Sequence, residues 1–258
     1  MAVKADPGGF PQRKVTDVPS VTANQMREIQ RMAQEDFGLD ILQIAENAGR
    51  ACAQLVLQML GGRGHGQVVV ILAGGGNKGA AGLAAARHLA NWGFQVEPVL
   101  ADVESESSFA VRRAIAICRA SGIIEPGDAD NTAVTVEDHL ARAELIIDAL
   151  VGYGLEGPPL GIPAAATELA AASRKPILAL DVPTGINATT GAVSSPAISA
   201  ATTLMLDLPK RGVLQAEARG HAGELYLADL GIPLSVHERL GVGVAGLFSE
   251  GPIVRLKR

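Results

Sequence analysis

The sequence predicts an α/β fold: a mostly parallel central sheet with helices on both faces. Three observations carry that prediction. Short apolar runs such as Val68–Ala73, Leu145–Leu150 and Pro176–Leu180 read as strands buried on both sides. Helical patterns of roughly ten to fifteen residues separate these runs, and that alternation calls for parallel strands joined by right-handed crossovers. Aromatic residues make up only 3% of a chain that is 48% hydrophobic, so aliphatic side chains and alanine must fill the core.

Taken in order, residues 1–20 hold proline, glycine and mixed charge and read as an N-terminal arm. Thr22 offers an N-cap to a helix whose apolar face is Met26, Ile29, Met32 and Ala33. Gly38 ends it. A longer helix spans about Asp40 to Leu60, with Ile41, Ile44, Ala48, Cys52, Leu55 and Val56 among its apolar side. Glycines at 61–66 stop it, and His65 among them lies in a solvated turn with no ligand role. The strand Val68–Ala73 follows, then a glycine-rich loop over residues 74–82, then a helix from Leu83. Phe94–Leu100 reads as the second strand, about Ser107–Ser121 as a helix, and Ile123-Ile124 as a short strand. A loop at 128–131 and a helix near 136–142 lead to the strand Leu145–Leu150. A second glycine-rich turn at 152–159 precedes an alanine-rich helix at about 163–173. Further strands are 176–180, 202–206 and 224–228, and the tail from Leu240 is apolar but poorly patterned. No repeat, low-complexity tract or linker breaks the pattern, so residues 21–258 read as a single domain.

Composition bounds the function. A net charge of −5 argues against a general nucleic-acid or anionic-membrane binder. The two cysteines, Cys52 and Cys118, sit in apolar helical surroundings and read as buried free thiols in a reducing compartment. No apolar run is long enough for a membrane span, and residues 1–20 lack the apolar stretch of a secretory signal. The expectation is a cytoplasmic protein.

The chemistry concentrates in the loops at 74–82, 151–159 and 181–191, each following an apolar strand. In an open α/β sheet such loops form the ligand crevice. The glycines of the first loop let the backbone approach a ligand, and the following helix N-terminus attracts phosphate or carboxylate. Its spacing matches neither the GxGxxG nor the GxxxxGK[ST] fingerprint, and the plainer alternative is a tight turn with no ligand. Asp148 and Asp181 each close a strand beside a glycine loop, as cation ligand, hydroxyl acceptor or general base. No zinc-type His/Cys spacing and no GxSxG elbow exists. His88 reads as a helix-face histidine, and His139, His221 and His237 have no partner visible in the sequence. Tyr153 either stacks on a ring or fills its turn.

Together and in this order, the loops resemble those of the NAD(P)H-hydrate epimerase family, the YjeF N-terminal domain. The carrying segments are Gly74-Gly75-Gly76-Asn77-Lys78-Gly79-Ala80-Ala81-Gly82, Asp148-Ala149-Leu150-Val151-Gly152-Tyr153-Gly154-Leu155 and Asp181-Val182-Pro183-Thr184-Gly185-Ile186-Asn187 with Thr190-Gly191. Further matches are Glu46–Arg50, the Pro209-Lys210-Arg211-Gly212 turn and Gly223–Pro233, so the likeness spans about residues 22–241. It implies a Rossmann-like three-layer α/β/α sandwich, a homodimer, and interconversion of the R and S epimers of hydrated NADH and NADPH (NAD(P)HX), a metabolite-repair reaction. It implies that Asp181 is the acid/base and also touches the substrate. The rest of the substrate cradle would be Gly76, Asn77, Lys78, Gly79, Ala80, Ala81, Gly152, Tyr153, Gly154, Leu155, Glu156, Gly157 and Pro158. It implies a potassium ion on Asp148 and Thr184, and a dehydratase as a separate partner, because the chain ends at Arg258 without the fused domain of bacterial members.

Two departures from the family pattern follow. The third potassium-ligand position is Lys78, which offers only donors. Its ammonium either sits where the ion would and pairs with Asp148, leaving weak potassium binding or none, or it is a solvated loop lysine that points outward. Ala80-Ala81 replaces Gly-Asp, which removes a polar contact, and a methyl at 80 disfavours a positive φ. The alternative function is therefore a non-catalytic nucleotide-binding or scaffold protein on the same fold.

Overall fold

A computed structural model describes residues 9–62, 64, 66–125 and 133–258; residues 1–8, His65 and the expected loop at 128–131 lie outside the described residues. Among the described residues, one sheet of eight strands runs through the molecule. The strands are β1 (Gln12–Lys14), β2 (Val68–Ala73), β3 (Gln95–Leu100), β4 (Leu145–Ala149), β5 (Ile177–Leu180), β6 (Thr202–Leu206), β7 (Glu224–Ala228) and β8 (Ile253–Lys257). Their order is β1-β8-β7-β6-β5-β4-β2-β3, with every neighbour parallel except β7 and β8.

Alternate side chains of the central strands enter two separate cores, as the pleat demands. Val69, Ile71, Leu145, Ile147, Leu178 and Leu180 pack on one face with helices α1 (Ala23–Glu35), α2 (Ile41–Met59), α3 (Asn77–Asn91) and α4 (Phe109–Ala120). Val70, Leu72, Ile146, Ile177 and Ala179 pack on the other with α5 (Ala133–Arg142) and α6 (Gly161–Ser173). This is the expected three-layer α/β/α sandwich. Two short helices, α7 (Arg219–Ala222) and α8 (Leu234–Arg239), complete it.

Local chemistry sets the helix starts. Thr22 accepts from the Gln25 amide at 3.2 Å while the Gln25 side chain accepts from the Thr22 amide at 2.9 Å, a capping box that begins α1. Asp40 and Gln43 repeat the device at α2. α3 is held closely on both sides. A Cβ at Gly49 of α2 would lie 2.5 Å from the Ala84 Cβ, and one at Gly79 would lie 1.8 Å from the Gly74 carbonyl oxygen. Only glycine permits these approaches.

Four expectations are corrected. The first loop is shorter than its glycines suggest: α3 begins at Asn77, so residues 77–82 are helical. Ala80 therefore needs no positive φ, and its methyl is buried without backbone strain. Ile123 and Ile124 form no strand; both amides turn back to the Cys118 carbonyl at the end of α4, and Ile124 fills the core. The tail carries β8, which pairs antiparallel with β7, and residues 12–14 of the arm add β1 beside it. Arg255 and Lys257 interrupt the apolar run there, so only the pairing reveals the strand.

Candidate functional site

The order of strands places the site. The chain moves from β2 outward to β3, then returns to lay β4 on the other flank of β2. The loops leaving the carboxyl ends of β2 and β4 therefore diverge, and a crevice opens between them. A cleft of about 460 Å³ occupies this position. Its floor is Gly75, Gly76, Asn77, Lys78 and Ala81, one wall is Leu150–Gly154, and α1 and α2 add Arg27, Gln30, Ile44 and Ala45. Asp181 and Lys210 close the far end.

Two buried ion pairs underlie the cleft. Asp148 is 0% exposed, held on β4 between β2 and β5. Its Oδ1 accepts from the Leu150 amide at 3.1 Å and the Thr184 hydroxyl at 2.7 Å; its Oδ2 accepts from the Thr184 amide at 2.8 Å. Lys78 projects from the first turn of α3 and puts its Nζ 3.0 Å from that Oδ2. The same ammonium donates to the carbonyls of Val182 at 2.9 Å and Val151 at 3.1 Å, and lies 3.2 Å from Thr184 Oγ1. The expected Lys78–Asp148 pair is thus present. Burial pulls the Lys78 ammonium below the ordinary lysine range, against the opposing pull of Asp148 and Asp181. Asp148 does not line the cleft; it braces the loops beneath it.

The second pair is Asp181 with Lys210, 2.5 Å apart and 3% and 1% exposed. Asp181 Oδ1 also accepts from the Leu206 amide at 3.1 Å, and Lys210 donates to the Leu206 carbonyl at 2.6 Å. Oδ2 accepts no hydrogen bond from a described residue and is the oxygen open to a ligand. Asp181 has φ +63°, a left-handed conformation uncommon outside glycine and typical of held functional positions. Tyr153 lines the wall with its hydroxyl 2.5 Å from Gln30 Oε1 and its ring 5.8 Å from Lys210 Nζ. Burial and the Asp181 charge push its phenol up to about 12.

Of the expected cradle, Gly76, Asn77, Lys78, Ala81, Gly152, Tyr153, Gly154 and Asp181 meet in the cleft. Gly79 and Ala80 do not reach it: the first abuts Gly74, the second faces a small apolar groove between α2 and α4. Leu155, Glu156, Gly157 and Pro158 run outside the lining, where the chain turns at Gly152–Leu155 and heads to α6 with Glu156–Pro158 exposed. Thr184 is buried behind the cleft with Asp148. The sequence reading missed Arg27, Gln30, Asp102 and Lys210. Asp102 follows β3 and accepts from the Gly75 amide at 3.2 Å, a strand-end carboxylate like the two singled out. Among the described residues the four histidines have partners, His88 with Glu46, His139 with Glu97, His221 with Ser199 and His237 with Asp207, and none of these four lines the cleft.

α3 has Gly76 as its N-cap residue and no side-chain cap, so its first amides are free to meet an anion beside exposed Arg27. The arrangement therefore offers helix amides and Arg27 to an anion, with the Asp102 carboxylate engaged at Gly75 beside them, an aromatic wall and the open oxygen of Asp181.

The chain is similar in sequence and fold to known proteins. The sequence model of the YjeF-related protein N-terminus matches residues 41–212. An NAD(P)H-hydrate epimerase from Dehalogenimonas lykanthroporepellens is 37% identical over 241 residues, 93% of each chain. The bifunctional NAD(P)H-hydrate repair enzyme Nnr from Moorella thermoacetica is 30% identical over 83% of this chain, which spans 40% of that longer protein. A crystal structure of the yeast protein ynu0 has the same fold, with a TM-score of 0.78 at 24% identity, over 93% of this chain and 100% of that one.

Proposed function

The chain belongs to the YjeF-related N-terminal family, and on that premise we propose that it interconverts the R and S epimers of hydrated NADH and NADPH, with Asp181 as the acid/base. The observation that carries the reading is the Asp181 carboxylate at the end of the cleft, anchored through Oδ1 and open at Oδ2. Inverting a carbon that bears a hydroxyl requires a bond at that carbon to break and re-form on the opposite face. If the C–O bond breaks, the hydroxyl takes up a proton as it leaves and water gives one back as it returns. A single carboxyl can serve both steps. Lys210 and the Leu206 amide hold that carboxyl in place, so Lys210 is a positioning residue. The free amides at the start of α3, with Arg27, suit the diphosphate, and Tyr153 offers a face to the ring.

Two of the three substitutions that favoured a scaffold lose their force, while Ala81 does line the cleft and brings no polar group to it. Lys78 is fully partnered, and Ala80 sits in a helix outside the cleft. We also propose a homodimer, supported by Phe109 and Ile117, apolar residues 61% and 38% exposed on α4. A separate dehydratase consuming the S epimer and a cytoplasmic location complete the proposal. Among the described residues no helix is long and apolar enough to cross a membrane.

The test is an assay on a mixture of the two hydrate epimers, coupled to an S-specific dehydratase. Depletion of the R form faster than its spontaneous rate supports the reading; the spontaneous rate alone overturns it.

A further inference from the structure

Lys78 Nζ stands among four oxygens from three segments: Asp148 Oδ2 on β4, the Val151 carbonyl in the turn after it, and the Val182 carbonyl and Thr184 hydroxyl after β5. All four distances lie between 2.9 and 3.2 Å. A carboxylate, two carbonyls and a hydroxyl are the donor set of a hard cation. A potassium ion does not fit beside the ammonium, which already occupies the centre and uses the oxygens an ion would need. We infer that Lys78 is a tethered cation: its ammonium is the permanent occupant of a monovalent-cation cage, and truncating it converts the cage into a potassium site.

The physical argument is one of charge and connection. Asp148 is wholly buried, and a buried carboxylate without a cation is strongly unfavourable. A free ion meets that need only in proportion to its concentration; a lysine carried on α3 meets it at every salt composition. The ammonium also ties the turn after β4 to the loop holding Asp181, because Val151 and Val182 bond the same nitrogen. The Lys78 stem runs beside Gly152, whose absent Cβ would lie 3.6 Å from it. Removing the stem leaves a space lined by the same four oxygens. This goes beyond the proposed reaction and does not depend on it.

The test is thermal unfolding in 100 mM potassium chloride against choline chloride at equal ionic strength, for the wild type, Lys78→Ala and Lys78→Met. The wild type should melt at the same temperature in both salts. Lys78→Ala should be destabilised in choline and recover in potassium; occupancy at about a hundred times the dissociation constant raises Tm by roughly 5–10 °C for a domain of this size. Lys78→Met fills the space without charge, so it should be destabilised in both salts alike, and Lys78→Met/Asp148→Asn should regain stability. A wild type that gains as much from potassium as Lys78→Ala overturns the inference. So does a Lys78→Ala variant that shows no potassium-specific gain, or that fails to fold even in potassium. Each readout is a melting temperature, so an inactive wild type would defeat the epimerase reading and leave this one standing.

Discussion

Asp181→Asn separates chemistry from architecture at this site. Two costs follow from the structure. Losing an acid/base group typically lowers the rate by roughly a hundred- to ten-thousand-fold, which is about 3–5 kcal/mol of transition-state stabilisation. The substitution also leaves the Lys210 ammonium, 1% exposed, without its carboxylate. Breaking one side of a buried pair costs about 3–5 kcal/mol, or a fall in Tm of roughly 6–20 °C in a domain of this size. The Leu206 amide and carbonyl still satisfy part of each group, which favours the lower half of that range. Epimerisation would be followed at 25 °C by the coupled assay, with circular dichroism confirming the folded state. Asp181→Asn/Lys210→Met is the decisive companion. Removing both charges should restore much of the stability, since a buried pair replaced by uncharged groups is often neutral. It should restore no activity. A rate that returns with stability, or an undiminished rate in the single variant, refutes the role given to Asp181.

Three further outcomes follow. Gly79→Ala drives a methyl into the Gly74 carbonyl, backbone against backbone, and should cost about 3 kcal/mol or more; an unchanged urea midpoint would contradict it. His237 lies 2.9 Å from Asp207, and although burial pulls its pKa down, that hydrogen bond and charge lift it above the ordinary histidine value. The folded value is the raised one, so the pair's stabilisation is complete below about pH 6.5 and is lost as pH rises through the folded value. The stability gap between wild type and His237→Gln should therefore narrow above pH 6.5, and a gap that widens would reverse the assignment. Cys52 and Cys118 are buried, and burial raises both thiols, Cys118 to about 11. Neither should react with a thiol reagent at pH 8 until denaturant releases both.

What the sequence determined by itself is what short-range physics controls. Apolar runs located β2 to β7, Thr22 announced the start of α1 through a contact three residues long, and loops after parallel strands placed the crevice. The pairing of Lys78 with Asp148 is not short-range; it came into view only through the family resemblance, which put a donor-only side chain where an acceptor was expected, and the structure chose it over an outward-pointing lysine. Tertiary structure decided what depends on distant partners. Glycines at 79 and 82 looked like part of a ligand loop; packing against Gly74 and Ala149 makes them helix. Lys210 lay in an unassigned turn until the sheet carried it to Asp181, and β8 had no signal of its own until β7 supplied its hydrogen bonds. In each case the deciding contact joins segments that are remote along the chain. No local pattern of residues encodes such a contact; it exists only once the sheet has brought the segments together.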